Sequence, residues 1–234
     1  GRRRRGFKRM VRRGRAGERR FKTREVCMET TKGMGRTENF LRKLHSLSGL
    51  IPVGVFLTVH TLVNSSAIWG EEAYNVAAGV MVNLPYKLFL ETFVIFVPLL
   101  FHGILGIWIA LKAKNNVRQY TYARNWGFFL QRLTGFVMFA FLVWHVWQTR
   151  VQAEFGVEPG FSMMADIVAN PVFLALYIVG IVASMFHFAN GIWTFLITWG
   201  ITVTPKSQKV SKYATMGIFV VMSVIGVLAI LAFA

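Results

Sequence analysis

The chain has 234 residues, 54% of them hydrophobic and 16% charged, with a mean hydropathy of +0.47. An aqueous domain carries more charge, about 25%, and the apolar residues here fall in blocks of roughly 20 or more, the length that crosses a bilayer. That excludes a soluble domain and predicts one polytopic, all-helical membrane domain. The net charge of +17 suggests nucleic acid, but residues 1–33 alone hold 14 Lys/Arg and three Glu, a net of +11. The excess therefore belongs to a short tail rather than to a binding face.

Residues 1–38 are basic, polar and without hydrophobic period, and are expected to be a disordered tail near anionic lipid. Met34 is a plausible native start, and the single cysteine, Cys27, cannot close an internal disulfide. The domain proper is expected over 39–234. Its first span is predicted from about Leu44 to Ile68, too long for a cleaved signal and followed by nothing that reads as a cleavage site. The second is predicted from about Tyr86 to Leu111, the third from Trp126 to Trp147, the fourth from Pro171 to Gly200 and the fifth from Tyr213 to Ala234. Lys112, Lys114, Arg118 and Arg124 follow span two, and Lys206, Lys209 and Lys212 follow span four. Glu71, Glu72, Glu154, Glu158 and Asp166 occupy the other two loops. Basic loops stay in the cytoplasm, so the N-terminus is expected inside and the C-terminus outside.

Spans two and four share a phrase: Phe101-His102 with Gly106-Ile107-Trp108, and Phe186-His187 with Gly191-Ile192-Trp193. Gly49 precedes His60 and Gly135 precedes His145 at nearly the same interval. The first four helices thus read as a duplicated hairpin forming a bundle, with small residues allowing close approach. An ionisable residue inside a span is costly and marks function by default. Four spans carry one such histidine each: His60, His102, His145 and His187.

Because the spans alternate in direction, His60 and His145 fall at an outer level and His102 and His187 at an inner one. The levels are roughly 10–15 Å apart at about 1.5 Å per residue. Two pairs at two depths suit two bis-histidine haems. A tetrahedral zinc site would want its ligands at one depth. A single such histidine would more simply hydrogen-bond a neighbouring helix. A bc-type cytochrome would pair histidines on one helix, and only span one, with His45 and His60, offers such a pair.

His45, Arg42 and Arg132 lie near the cytoplasmic end and are candidate partners of haem propionates, with interfacial anchoring as the plainer reading of the arginines. Glu91 and Arg150 lie at the outer level; they pair with one another, or Glu91 handles protons at a quinone site. Asn64, one turn beyond His60, is a candidate for a quinone carbonyl.

These residues stand in longer phrases: Arg42-Lys-Leu-His-Ser-Leu-Ser-Gly49, His60-Thr-Leu-Val-Asn64, Ala113-Lys-Asn-Asn116, Tyr122-Ala-Arg-Asn-Trp126, Trp144-His-Val-Trp147, Phe186-His-Phe-Ala-Asn-Gly191 and Thr198-Trp-Gly-Ile-Thr-Val-Thr-Pro205. Over about 36–232 they resemble the cytochrome b membrane anchor of bacterial succinate dehydrogenase, of the single-anchor, dihaem type of Gram-positive bacteria. The resemblance does not extend to the N-terminal tail. It implies a five-helix anchor with two haem b, His102 and His187 on the proximal one, His60 and His145 on the distal one. It also implies flavoprotein and iron–sulfur partners on the cytoplasmic side, with electrons passing inner haem to outer haem to menaquinone. The same architecture running as a fumarate reductase is the runner-up. A haem-free anchor or proton-conducting protein is a different class, and it has no need of four histidines.

Overall fold

The computed structural model describes residues 35–234; the basic run, Cys27 and Met34 lie outside the described residues. Among the described residues, five helices are long and apolar enough to cross a membrane: α1 (Gly35–Trp69), α3 (Lys87–Lys112), α4 (Ala123–Glu154), α6 (Pro171–Thr198) and α7 (Pro205–Leu231). Two shorter helices, α2 (Glu71–Val82) and α5 (Phe161–Val168), occupy the connections expected to be plain loops. By its contacts the chain divides into residues 1–44 and 45–234. In the first unit the described residues are helical, and Arg42 pairs with Glu38 one turn away at 2.8 Å. Helix is thus present from Gly35, ahead of the boundary expected at residue 38.

Span boundaries differ from the sequence expectation where caps and proline, rather than hydropathy, set them. Asn170 caps α6 by accepting from the Val172 N–H at 2.9 Å, with Pro171 in the first turn, where its missing donor costs nothing. Thr204 and Ser207 form a capping box ahead of α7. Lys206, Lys209 and Lys212 are therefore in the opening turns of α7 and not in a loop. In α3 the turns of Leu90–Phe96 are widened to a π-helix. Pro98 follows directly; its ring clashes with the carbonyl four residues back, and a widened turn there makes room. A second π segment, Trp147–Val151, lies in α4, which carries that helix past the expected end at Trp147 to Glu154.

Within 45–234 the connections alternate between two ends. At one end, which carries the basic residues, the Trp199 indole N–H donates to Ser46 Oγ at 3.1 Å, and the Trp193 indole N–H to the Gln208 carbonyl at 3.0 Å. At the acidic end Tyr74, Phe161 and Phe233 pack edge to face and tilted, with Val168, Tyr177 and Ile230 beneath them. The lateral surface is apolar: Ile104 is 62% exposed, Leu111 74% and Val220 56%. So wide an exposed apolar surface is a lipid-facing one, and the chain is a multi-pass membrane protein.

Helices α4, α6 and α7 pack most extensively, through glycines. A Cβ on Gly180 would stand 2.3 Å from the Phe141 ring, and one on Gly226 2.7 Å from Ile181. Small residues replace hydrophobic driving force in a bilayer, where lipid is as apolar as leucine. Gly180→Val is expected to cost about 1–3 kcal/mol by overpacking, read as a lowered melting temperature in detergent. An unchanged melting temperature would mean that α4 and α6 part without loss.

Candidate functional site

The four span histidines meet as two pairs, each across two helices. His60 on α1 faces His145 on α4 with ring centroids 5.9 Å apart and planes at 73°. His102 on α3 faces His187 on α6 at 6.2 Å and 86°. These are the two pairs expected from depth along the spans, and they are called outer and inner after that expectation. His45 joins neither across a gap: its ring lies flat on His102, centroids 4.0 Å apart and 10° from parallel.

Helix register explains the inner pair. His102 Nδ1 lies 2.9 Å from the His45 carbonyl, and His187 Nδ1 lies 3.1 Å from the Gln131 carbonyl. Each acceptor sits four residues before a glycine that the same ring covers. A Cβ on Gly49 would fall 2.2 Å from His102 Cε1, and one on Gly135 3.2 Å from His187 Cε1. A carbonyl accepts only from a protonated nitrogen, so each ring carries its hydrogen on Nδ1 and leaves Nε2 free.

The outer pair is held by side chains instead. His145 Nδ1 lies 3.1 Å from the hydroxyl of Tyr177, a residue only 2% exposed. The Asn64 amide donates to the His60 carbonyl at 2.8 Å and lies 3.4 Å from His60 Nε2. Phe141 stacks on His145 at 5.7 Å.

Between these helices runs a cavity of about 540 Å³, within the range that cofactor pockets occupy. His102, His187, Gly49, Gly106, Gly135 and Gly191 line it, and His45 and Arg132 lie on its wall. The outer histidines are not among its lining residues. Two imidazole nitrogens each about 2 Å from one metal would set their ring centroids roughly 6 Å apart, the separation found in both pairs. The donor set, the free Nε2 atoms and a glycine-lined cavity therefore fit a flat macrocycle with an axial histidine on each face.

Farther toward the acidic end, Arg150 donates to Glu91 Oε2 from Nη2 at 2.9 Å and from Nε at 3.2 Å, and also binds Glu154. Lys87 approaches Glu91 at 3.8 Å. The pair joins the two π segments. Asn64 is occupied with His60, one turn back, rather than with that pair. Arg42 lies in the N-terminal unit, where its described partner is Glu38.

Sequence reasoning missed Tyr177, Gln131 and Asn190. Each is a polar side chain within an apolar run, which was the available signal.

A family model described as succinate dehydrogenase/fumarate reductase transmembrane subunit matches residues 112–227. A protein of Bacillus subtilis named succinate dehydrogenase cytochrome b558 subunit is 52% identical over 199 residues, covering 85% of this chain and 98% of that protein. The chain belongs to the succinate dehydrogenase cytochrome b anchor family. Membership makes the span histidines, which the anchor fold brings face to face, the residues to test first. Glu91 in this anchor has two cationic neighbours and remains about one-fifth exposed. Exposed pairs contribute about 0–1 kcal/mol, so Glu91→Gln is expected to lower stability by less than about 1 kcal/mol, measured by thermal unfolding in detergent. Failure to assemble would assign the pair a larger part in joining α3 to α4.

Proposed function

We propose that the chain is the dihaem membrane anchor of a succinate:quinone oxidoreductase, with His60 and His145 ligating the outer haem b and His102 and His187 the inner one. The observation that carries this reading is the two cross-helix imidazole pairs, each about 6 Å apart, on four different helices. Held by these histidines, haem would supply reversible one-electron chemistry, which would suit passage of electrons from an iron–sulfur partner to menaquinone.

The chain's own residues would do the positioning. The carbonyls of His45 and Gln131 and the hydroxyl of Tyr177 take the Nδ1 hydrogens and aim each Nε2 at the metal. Gly49 and Gly135 leave room for the rings. Arg132 and His45, on the cavity wall near the basic end, are the partners available to anionic propionates. Arg42, engaged with Glu38, is left out of this set.

Glu91, Arg150 and Asn64 are the quinone-site candidates. Glu91 is held first as an ion pair, and to pass a proton its carboxylate must loosen from Arg150. Glu91→Gln is expected to slow quinone reduction and flatten its pH dependence; normal rates and pH profile would remove the proton role.

The flavoprotein and iron–sulfur partners would dock at the basic, cytoplasmic end, where succinate is oxidised outside this chain. The positive-inside rule puts the N-terminus in the cytoplasm and the C-terminus outside the bacterial cytoplasmic membrane. Nucleic acid is not a partner in this reading. The family description covers fumarate reductase too, and direction would follow from potentials and quinone.

The test is a reduced-minus-oxidised spectrum with haem quantified per chain. Two haem b are expected. His102→Ala and His187→Ala should each remove one and the same haem, and His60→Ala and His145→Ala the other. A folded, haem-free chain would leave an anchor or conduction role alone.

A further inference from the structure

Lys212 is a cation in the second and third turns of a membrane helix, where lysines ordinarily reach back to the interface. Its ammonium instead donates to Asn190 Oδ1 at 3.0 Å, above the Trp193 ring at 4.4 Å from the centroid. Asn190 is 0% exposed. Its Nδ2 donates to Gln131 Oε1 at 2.7 Å and to the Gly127 carbonyl at 3.3 Å. Gln131 Nε2 then donates to the His187 carbonyl at 3.0 Å, while the Gln131 carbonyl accepts from His187 Nδ1 at 3.1 Å.

The polarity of this chain of bonds is dictated from one end. An ammonium has no acceptor, so Asn190 must present its oxygen to Lys212 and its NH2 to Gln131. Gln131 must then present its own oxygen to Asn190 and its NH2 to the His187 backbone. One charge thus orders two amides, the second of which binds the His187 carbonyl, while the backbone carbonyl of the same Gln131 holds the His187 ring. A wholly polar chain inside an apolar bundle is costly unless every member is satisfied, and here Lys212, Asn190 and Gln131 each have partners.

We propose that Lys212, Asn190 and Gln131 form a positioning relay that fixes His187 and sets a positive charge at the relay's far end, raising the midpoint potential of the haem that His187 would hold. The relay rests on the reading of His187 as a haem ligand. A nearby cation favours the reduced, less positive iron, and half-buried Lys212 is screened less than a fully exposed charge would be.

The experiment is a redox titration of the assembled complex in membranes, following each haem optically, with its low-spin electron paramagnetic resonance signal as a second readout. His187→Ala identifies the haem concerned. In Lys212→Met that haem is expected to be harder to reduce, its oxidised-to-reduced ratio at fixed ambient potential rising several-fold. A tenfold rise would be about 59 mV for a one-electron couple. Lys212→Arg should restore the potential, and the other haem should hold its own. Asn190→Leu, which keeps the charge but cuts the relay, should shift or broaden the resonance of the same haem. If Lys212→Met does not assemble, Lys212→Gln against Lys212→Arg reads the same charge difference in two side chains that can both bond Asn190.

Retained haem with an unshifted potential in the neutral variants would overturn the relay and leave Lys212 as a helix-packing contact. Two haems persisting in His187→Ala would instead overturn the ligand reading beneath it.

Discussion

A buried imidazole must find a hydrogen-bond partner, and in this bundle the partner is mostly on another helix. Water is absent from the bilayer core, so an unpaired ring nitrogen there costs what a lost hydrogen bond costs in an apolar medium. His102 meets α1 at the His45 carbonyl, His187 meets α4 at the Gln131 carbonyl, and His145 meets α6 at the Tyr177 hydroxyl. Each bond sets the rotation and height of one helix against another. The close approach of α1 to α3 and of α4 to α6 follows from these few contacts and the glycines beside them.

The two pairs are nonetheless built differently. The inner rings bond to backbone carbonyls, which helix geometry holds rigidly and which no side-chain rotation can withdraw. Of the outer rings, His145 has at its Nδ1 a hydroxyl, a group that can donate as well as accept, while the Asn64 amide binds the His60 backbone carbonyl and lies 3.4 Å from its Nε2. The two pairs thus differ in what stands behind the imidazoles, which in the proposed haem sites would tune ligand basicity and orientation. The inner pair is connected, through Gln131 and Asn190, to the charged side chain of Lys212.

The acidic end adds a second constraint. Each π turn inserts about one residue into a helix and so rotates everything beyond it by roughly 100°. Both α3 and α4 contain such a turn, and Glu91 and Arg150 lie inside the two turns. Their ion pair is therefore where the local departures from α geometry meet, at the same end as the outer histidines.

Hydropathy blocks, loop charge and one histidine per span were legible along the chain, because a bilayer imposes length and polarity residue by residue. Five spans, their alternation and the sorting of four histidines into two depths follow from counting along helices of known rise. Pairing at a depth is already a statement about which helices are neighbours. Rotation was not legible. Gly49 and Gly135 stood out as small residues at a fixed interval before His60 and His145, yet they pack against His102 and His187, which contact the same helices from across the bundle. His45, expected to face a cofactor's acidic edge, lies on the cavity wall with its ring flat on His102. Tyr177, Gln131, Asn190 and Lys212 looked like isolated polar residues until packing brought them to the ligands. A one-dimensional pattern records depth and polarity; azimuth around each helix depends on π turns, caps and side-chain packing between segments far apart in sequence, and these are set only when the helices assemble.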